Sequence, residues 1–376
     1  MKIGIITWFT YENYGTKLQA IALQRYLRNL GHYVQLINFV PPEIENTKHN
    51  EESIWDKIKK QPQKYKLKFI LKKYEDDIKK KHEKMDLIID KECMLSKKIH
   101  SEMEYIDICN SFDLLICGSD QIWNPNLYHK YYYADFAQIN TPTISYAPSL
   151  GVNQIKKEIV ADLTESLKKI KFLTVREKNG AALLKELTGK SIATVLDPTF
   201  LLSKAEWNDL ASNSLSEEKY VLCYFLSDNK SHWNAARSFA KNHKLKLYII
   251  PQLGESYTQK NGKIFPEAGV EDFIGLVSKA TYVLTDSFHG TVFSIIFNKQ
   301  FYVFERFREN EYSSQNSRIF NLLDSISLME RLNKFNTSSV IEKKDIEYGL
   351  VNKKVSKMIE ESKKVLDKGL VYGEKM

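Results

Sequence analysis

Residues 280–305 read ATYVLTDSFHGTVFSIIFNKQFYVFE, and the fold is decided by how this stretch is read. An apolar run from Thr281 to Leu284 gives way to the polar step Thr285-Asp286-Ser287-Phe288-His289-Gly290. A helix over 291–297 and a second apolar strand over 300–304 follow from the pattern. Strand, loop, helix, strand is the repeating unit of a parallel sheet, where ligands gather at the C-terminal ends of the strands. The amides of a helix's first turn lack partners within the helix, so an anion can be held there. His289 stands where a side chain would meet such an anion, with Ser287 beside it and Gly290 permitting close backbone approach. A lone histidine in this position is more often a plain cap, so the reading needs support from the rest of the chain.

The same rhythm extends outward in both directions. Strand 220–226, helix 232–241, strand 246–251 and helix 271–280 lead up to the quoted stretch. Beyond it, a polar loop carries Arg306, Arg308, Asn316, Ser317 and Arg318 into a helix over 319–324. Near the N-terminus, strand 2–7, polar loop 10–16, helix 17–30 ended by Gly31, and strand 33–40 form a first β-loop-α-β unit. Strand 112–117, strand 143–147, helix 154–169, strand 172–175 and helix 178–187 continue it to a crossover at 195–199. The fold class is therefore α/β, with two Rossmann-like doubly wound domains facing a cleft in a glycosyltransferase-B-like arrangement. The expected division is 1–200 for the N-terminal domain and 201–345 for the C-terminal domain, with a final helix in 346–376 packing back on the first. A charged, helical insert over 43–111 interrupts the first domain, and Tyr74, Ile78, Met85 and Ile89 mark its apolar side.

A chain of 376 residues exceeds one ordinary core, which agrees with two domains. Net charge is +8, and 15 Lys against 10 Asp plus Glu between Ile54 and Tyr105 place +5 of it in the insert. Trp55, Phe69, Ile70 and Leu71 among those lysines fit contact with an anionic membrane surface; a helical arm with a solvated face is the plainer alternative. Nucleic acid is disfavoured, since acids interleave with the lysines and no binding motif accompanies them. Four cysteines without metal or CxxC spacing, of which Cys117 and Cys223 sit in apolar runs, fit a reduced cytoplasmic setting. Neither a membrane span nor a signal-peptide pattern is expected.

The chemistry narrows by what the chain lacks. Loop 10–16 is not GxGxxG, and neither a Walker sequence nor a Gly-x-Ser-x-Gly elbow occurs. With no Asp-x-Asp pair, a metal-independent transfer is expected. What remains is a set of charged groups at strand ends. Asp120 is a candidate base or a helix N-cap, and it stands with Gln121, Trp123 and Asn124 in a set suited to sugars. Asn13, Gly15 and Thr16 suit a hydroxyl-rich or anionic ligand, or simply cap a helix. Arg176 either binds an anion or pairs with Glu177 or Asp197. Guanidinium forks match phosphate and carboxylate alike.

In order and spacing, NYGTKLQAIALQ (13–24), CGSDQIWN (117–124), VRE (175–177), LDP (196–198), TDSFHG (285–290) and NSR (316–318) resemble the polysaccharide pyruvyl transferase family over most of the chain outside the insert. The resemblance implies transfer of pyruvate from phosphoenolpyruvate to a hexose of a cell-surface glycan or its lipid-linked precursor, closing a cyclic ketal. Phosphoenolpyruvate is then a co-substrate and no cofactor or metal is called for. The donor side is expected to include Arg176, Ser287, Gly290, Arg306, Asn316 and Arg318. The acceptor side would comprise Asn13, Tyr14, Gly15, Thr16, Gln19, Gln121, Trp123 and Asn124. His289 and Asp120 are the catalytic candidates, Asp120 reaching the acceptor if the domains close. Relatives carry an arginine two residues before the histidine where this chain has Ser287, so the missing charge is expected from Arg306, Arg308 or Arg318. A metal-independent glycosyltransferase using a nucleotide sugar, or a glycan-binding protein without turnover, are the alternative readings of the same cleft.

Overall fold

The structure is a computed structural model and describes residues 1–39, 41, 69–212, 218–259, 261–308, 311 and 315–374. Five strands form the N-terminal sheet: β1 (Lys2–Ile6), β2 (Tyr33–Leu36), β3 (Leu114–Cys117), β4 (Thr143–Ser145) and β5 (Ile170–Phe172), in the order β2-β1-β3-β4-β5. A short pair, β6 (Thr174–Val175) and β7 (Ala193–Thr194), lies beside it. The C-terminal sheet holds β8 (Tyr220–Tyr224), β9 (Lys246–Ile249), β10 (Gly262–Ile264), β11 (Tyr282–Thr285), β12 (Gln300–Phe304) and β13 (Leu332–Asn333), ordered β10-β9-β8-β11-β12-β13. The pairings are parallel, as fully apolar strands such as β3 and β8 require when helices cover both faces. Strand order reverses between β1 and β3 in one sheet and between β8 and β11 in the other, so each sheet has a crevice at that point.

Two helix starts lie earlier than their apolar periodicity indicates. The Asn13 side chain accepts the N–H groups of Gly15 and Thr16, so helix Tyr14–Asn29 absorbs the end of the polar loop. Ser287 likewise caps helix Phe288–Ile296, which moves His289 from a loop into a first helical turn. The single strand expected at 172–175 is divided: Ile170–Phe172 stays in the main sheet while Thr174–Val175 pairs with β7. Edge strands β10 and β13, three and two residues long, are too short for a readable period.

The insert is the larger correction. Its helix Glu75–Glu92 buries Met85, Ile88 and Ile89 and packs against both helix Tyr14–Asn29 and helix Val270–Lys279. Lys84 and Lys91 reach Asp272 and Glu271 of the other domain, each at 2.7 Å. Lys81 is buried over the Tyr14 ring at 5.0 Å, and burial, opposed by Glu12, pushes its pKa down to about 8. This helix clasps the two domains rather than standing out as a solvated arm. Of the residues considered for membrane contact, Leu71 is buried beside Tyr257, with Ile70 packed on them; Phe69 is exposed, and Trp55 lies outside the described residues. No helix among the described residues is long and apolar enough to cross a membrane. The four cysteines are buried and unbridged. The C-terminal helix Tyr348–Glu374 packs on β3, β4 and β5, where Gly369 meets Ile144 and Phe172.

If packing holds the clasp, Met85→Ala costs about 2–5 kcal/mol. Lys84→Ala and Lys91→Ala, which remove exposed ion pairs, cost no more than about 1 kcal/mol each. Denaturant melts of the three variants distinguish this from a clasp held by charge, in which the lysine variants would lose the most.

Candidate active site

A cavity of about 430 Å³ opens between the domains at both sheet crevices. The N-terminal domain lines it with Trp8 and Tyr11 after β1, Asn13 and Thr16 at the following helix start, and Asp120 and Gln121 after β3. Facing them are Asp286 to His289 after β11, Arg306 and Phe307 after β12, and Gln315, Asn316 and Arg318 at the next helix.

Beneath the cavity lies a buried carboxylate. Asp197 Oδ2 accepts from Arg176 Nη1 at 2.5 Å and from Ser119 Oγ at 3.0 Å, and His289 Nε2 stands 3.4 Å away without hydrogen-bond alignment. Oδ1 accepts from the backbone N–H and hydroxyl of Thr199, at 3.0 and 2.7 Å. Burial would raise this carboxyl's pKa, but His289, Arg176 and the Thr199 hydrogen bonds outweigh it and hold Asp197 far below the usual range. Burial also opposes the charge on Arg176; Asp197, then Asp120 and Glu177, overcome that and raise it. Glu177 itself ties down the loop after β4, its Oε1 accepting from Ser149 Oγ, Leu150 N and Gly151 N. Arg176, expected among the donor ligands, sits behind the cavity wall. Its charge is matched by Asp197, and Phe288 covers it at 4.4 Å from guanidinium to ring centroid.

His289 crosses from its own domain to the other. Its ring lies on Gly15, where an added Cβ would come within 1.9 Å of Nδ1. The imidazole is therefore held between Gly15 and Asp197, and shares the cavity with Asp120 without further closure of the domains. Gly290 does not serve anion approach: Ser287 Oγ takes its N–H at 3.3 Å, and its bare face meets Thr285 Oγ1, 2.4 Å from a built Cβ. Close packing of helix on strand explains that glycine.

Asp120 has φ 68° and ψ −171°, a conformation an L-residue adopts at a cost of roughly 1–3 kcal/mol. Its carbonyl accepts from Ser149 N at 2.7 Å, and its carboxylate accepts from Thr16 Oγ1 at 2.5 Å and Gln121 N at 2.9 Å. Thr16 thus orients Asp120. Asn316 pins the turn after β12, accepting from Arg306 N and Phe307 N and donating to Phe307 O. Burial, then the neighbouring Arg176 and Arg306 charges, push the Arg318 pKa down to about 9. Arg308 lies over the Phe335 ring at 5.6 Å and takes no part in the cavity wall.

Four expected acceptor residues are supports instead. Tyr14 is buried at the domain seam, donating to Ala268 O at 2.6 Å and stacking on Phe273. Gln19 Nε2 lies within hydrogen-bond distance of Thr7, Trp8 and Thr16 oxygens and fixes the loop after β1. Trp123 stacks on Tyr133 in the core and donates to Tyr132 O. Asn124 caps Asn126 N and donates to Gln121 Oε1 at 3.2 Å. Conversely, Trp8, Tyr11, Phe288 and Gln315 line the cavity and were not singled out from sequence; Trp8 and Tyr11 follow β1 directly, so the strand-end rule applied to 285–290 would have found them.

The family model for polysaccharide pyruvyl transferase matches residues 13–306, and the chain belongs to that family. Curated proteins yield no match. Among solved structures, UDP-GlcNAc 2-epimerase from Neisseria meningitidis bound to UDP-GlcNAc is similar, with a TM-score of 0.51 and 12% identity over 96% of this chain and 99% of that one. UDP-GlcNAc 2-epimerase from Methanocaldococcus jannaschii has a TM-score of 0.49 and 11% identity over 96% and 93%. At such identity the likeness concerns the fold, a glycosyltransferase-B-like pair of α/β domains.

Gly15→Ala should displace the His289 ring and, if that ring takes part in a reaction, lower turnover roughly 10²-fold, with the fold retained by circular dichroism. Activity within a few-fold of wild type would contradict the placement. Asp197→Asn should cost about 3–5 kcal/mol by leaving the buried Arg176 without its closest carboxylate, Asp120 standing 4.0 Å away. Because its folded-state pKa is depressed, the Asp197 contribution is full above its unfolded pKa of about 4 and drains away as pH falls below that value. Melts between pH 3 and 7 should therefore show a flatter acid limb for Asp197→Asn than for wild type.

Proposed function

We propose that the cleft transfers a pyruvyl group from phosphoenolpyruvate to two hydroxyls of a hexose in a cell-surface polysaccharide or its lipid-linked precursor. The observation that carries this reading is the composition of one cavity: two guanidinium groups, an imidazole next to a buried carboxylate, and a strained aspartate. Phosphoenolpyruvate presents a phosphate and a carboxylate, both matched by guanidinium forks. Arg306 and Arg318 supply the charge that Ser287 does not, and they hold the donor.

In the first step a proton adds to the methylene carbon while a sugar hydroxyl adds to the neighbouring enol carbon and gives up its own proton. The phosphate then departs with the C–O electron pair, and a second hydroxyl closes the ketal, so that donor plus diol becomes ketal plus inorganic phosphate. Each step moves protons and one phosphate, and needs no redox or electron-sink cofactor. His289 is placed as the acid that protonates the methylene, and Asp120 as the base for the attacking hydroxyl. Arg318 and Arg306 stabilise the leaving phosphate electrostatically. Trp8 and Tyr11, edge to face at 65°, give the acceptor an aromatic wall, with Asn13 and Gln121 as polar contacts. The donor is a metabolite of the cytoplasm, and the reaction is placed there, at the inner face of the membrane where a lipid-linked precursor is carried.

Purified protein supplied with phosphoenolpyruvate and aryl hexosides should release phosphate, and His289→Ala should slow release by about 10²–10⁴-fold, the usual worth of a general acid. Release by His289→Ala at the wild-type rate would remove the assigned role. Thermal stabilisation by nucleotide sugars but not by phosphoenolpyruvate would favour the glycosyltransferase alternative.

A further inference from the structure

We infer that Gln315 is an internal stand-in for the donor's oxyanion: a phosphate or carboxylate oxygen binds where Gln315 Oε1 now lies, and the side chain is displaced as it does so. Three donors from separate parts of the cavity wall converge on that one atom. Arg318 Nη2 stands at 2.6 Å, Arg306 Nη2 at 3.2 Å and Gln121 Nε2 at 3.2 Å. Guanidinium groups only donate, so the atom they share must be the amide oxygen. The orientation is fixed from the other side as well. Asn126 N donates to Asn124 Oδ1, so Asn124 Nδ2 donates to Gln121 Oε1, which leaves Gln121 Nε2 to donate to Gln315.

A neutral amide oxygen is a weak answer to two guanidinium groups. Arg318 is 8% exposed and lines the cavity, and its Nε has no hydrogen-bond partner. Its charge is disfavoured by burial and by Arg176 and Arg306. Helix Asn316–Ser325 starts at the same place, and Gln315, its N-cap, makes no side-chain capping bond, so the helix's positive end faces the cavity uncapped. Asp120 and Glu177 offset the Arg318 charge only in part, and the group in direct contact with both guanidinium groups is neutral. Gln315 is only half-buried, whereas Arg318 is buried, so of the two it is Gln315 that an incoming anion would displace. It also bridges the domains through Gln121, so its displacement exchanges an interdomain contact for a ligand-mediated one.

The inference rests on the cleft being the donor site, and its test reads anion binding without turnover. Full-length wild type, Gln315→Ala and Gln315→Glu are titrated with inorganic phosphate and, separately, with pyruvate, by calorimetry and thermal shift. Gln315→Ala should bind at least as tightly as wild type, since nothing has to be displaced. Gln315→Glu supplies the anion internally; it should melt higher without ligand and bind about tenfold or more weakly. The probe that shows this dependence, phosphate or pyruvate, identifies which half of the donor uses the subsite. Equal weakening in both variants would make Gln315 a ligand-holding residue and overturn the inference, as would unchanged affinity in Gln315→Glu or no binding of either anion by wild type. If the variants respond as expected but no donor turns over, the pyruvyl-transfer reading fails and the stand-in remains.

Discussion

One buried carboxylate organises this molecule. Asp197 receives Arg176, Ser119 and Thr199 from the N-terminal domain and lies against His289 from the other. A charge buried this deeply persists only when paired and hydrogen-bonded, so its partners are confined to a narrow set of positions. That confinement fixes the imidazole on Gly15, sets the two sheets' crevices facing each other, and holds Arg176 against the Phe288 ring. The domain seam reinforces the arrangement through Tyr14 on Phe273 and through the insert helix, which touches both domains.

On the cavity side of Phe288 the balance is reversed. Among the described residues Arg306 and Arg318 make no ion pair with a carboxylate there, and they share the oxygen of Gln315. Asp286, whose charge favours that of Arg306, accepts hydrogen bonds from Leu226 N, Ser227 N and Ser227 Oγ, holding the turn after β8. Two guanidinium groups meeting at a neutral oxygen, beside an aspartate in a strained backbone conformation, are the condition of a site built for an anion. Ser287 then has a structural reason: at the N-cap its hydroxyl accepts from Gly290 N, which an arginine could not do.

Much of the fold was legible because fully apolar runs such as Leu114–Cys117 and Tyr220–Tyr224 admit few readings between turn signals. The cavity's location followed from the rule that ligands gather at parallel strand ends, and His289, Asp120, Arg306 and Arg318 do line it. What sequence did not convey was direction. Residues within one motif point opposite ways: Asp120 and Gln121 face the cavity while Trp123 turns into the core against Tyr133. Gly290 was misplaced for a related reason, since the nearness of Thr285 leaves no trace in local pattern, whereas the pairing of Arg176 with Asp197 is one of the two alternatives the sequence left open. The insert was misread because its charged face suggested solvent, whereas Lys84 and Lys91 face acids of the second domain.

The proposed transfer forms a new carbon–oxygen bond at the enol carbon of phosphoenolpyruvate. Carbon-13 NMR of the protein with phosphoenolpyruvate labelled at that carbon and a hexoside acceptor tests it directly. A ketal carbon resonance correlated with two sugar positions should grow in step with inorganic phosphate. A labelled carbon that never becomes attached to sugar, while the same acceptor is glycosylated from a nucleotide sugar, would contradict it.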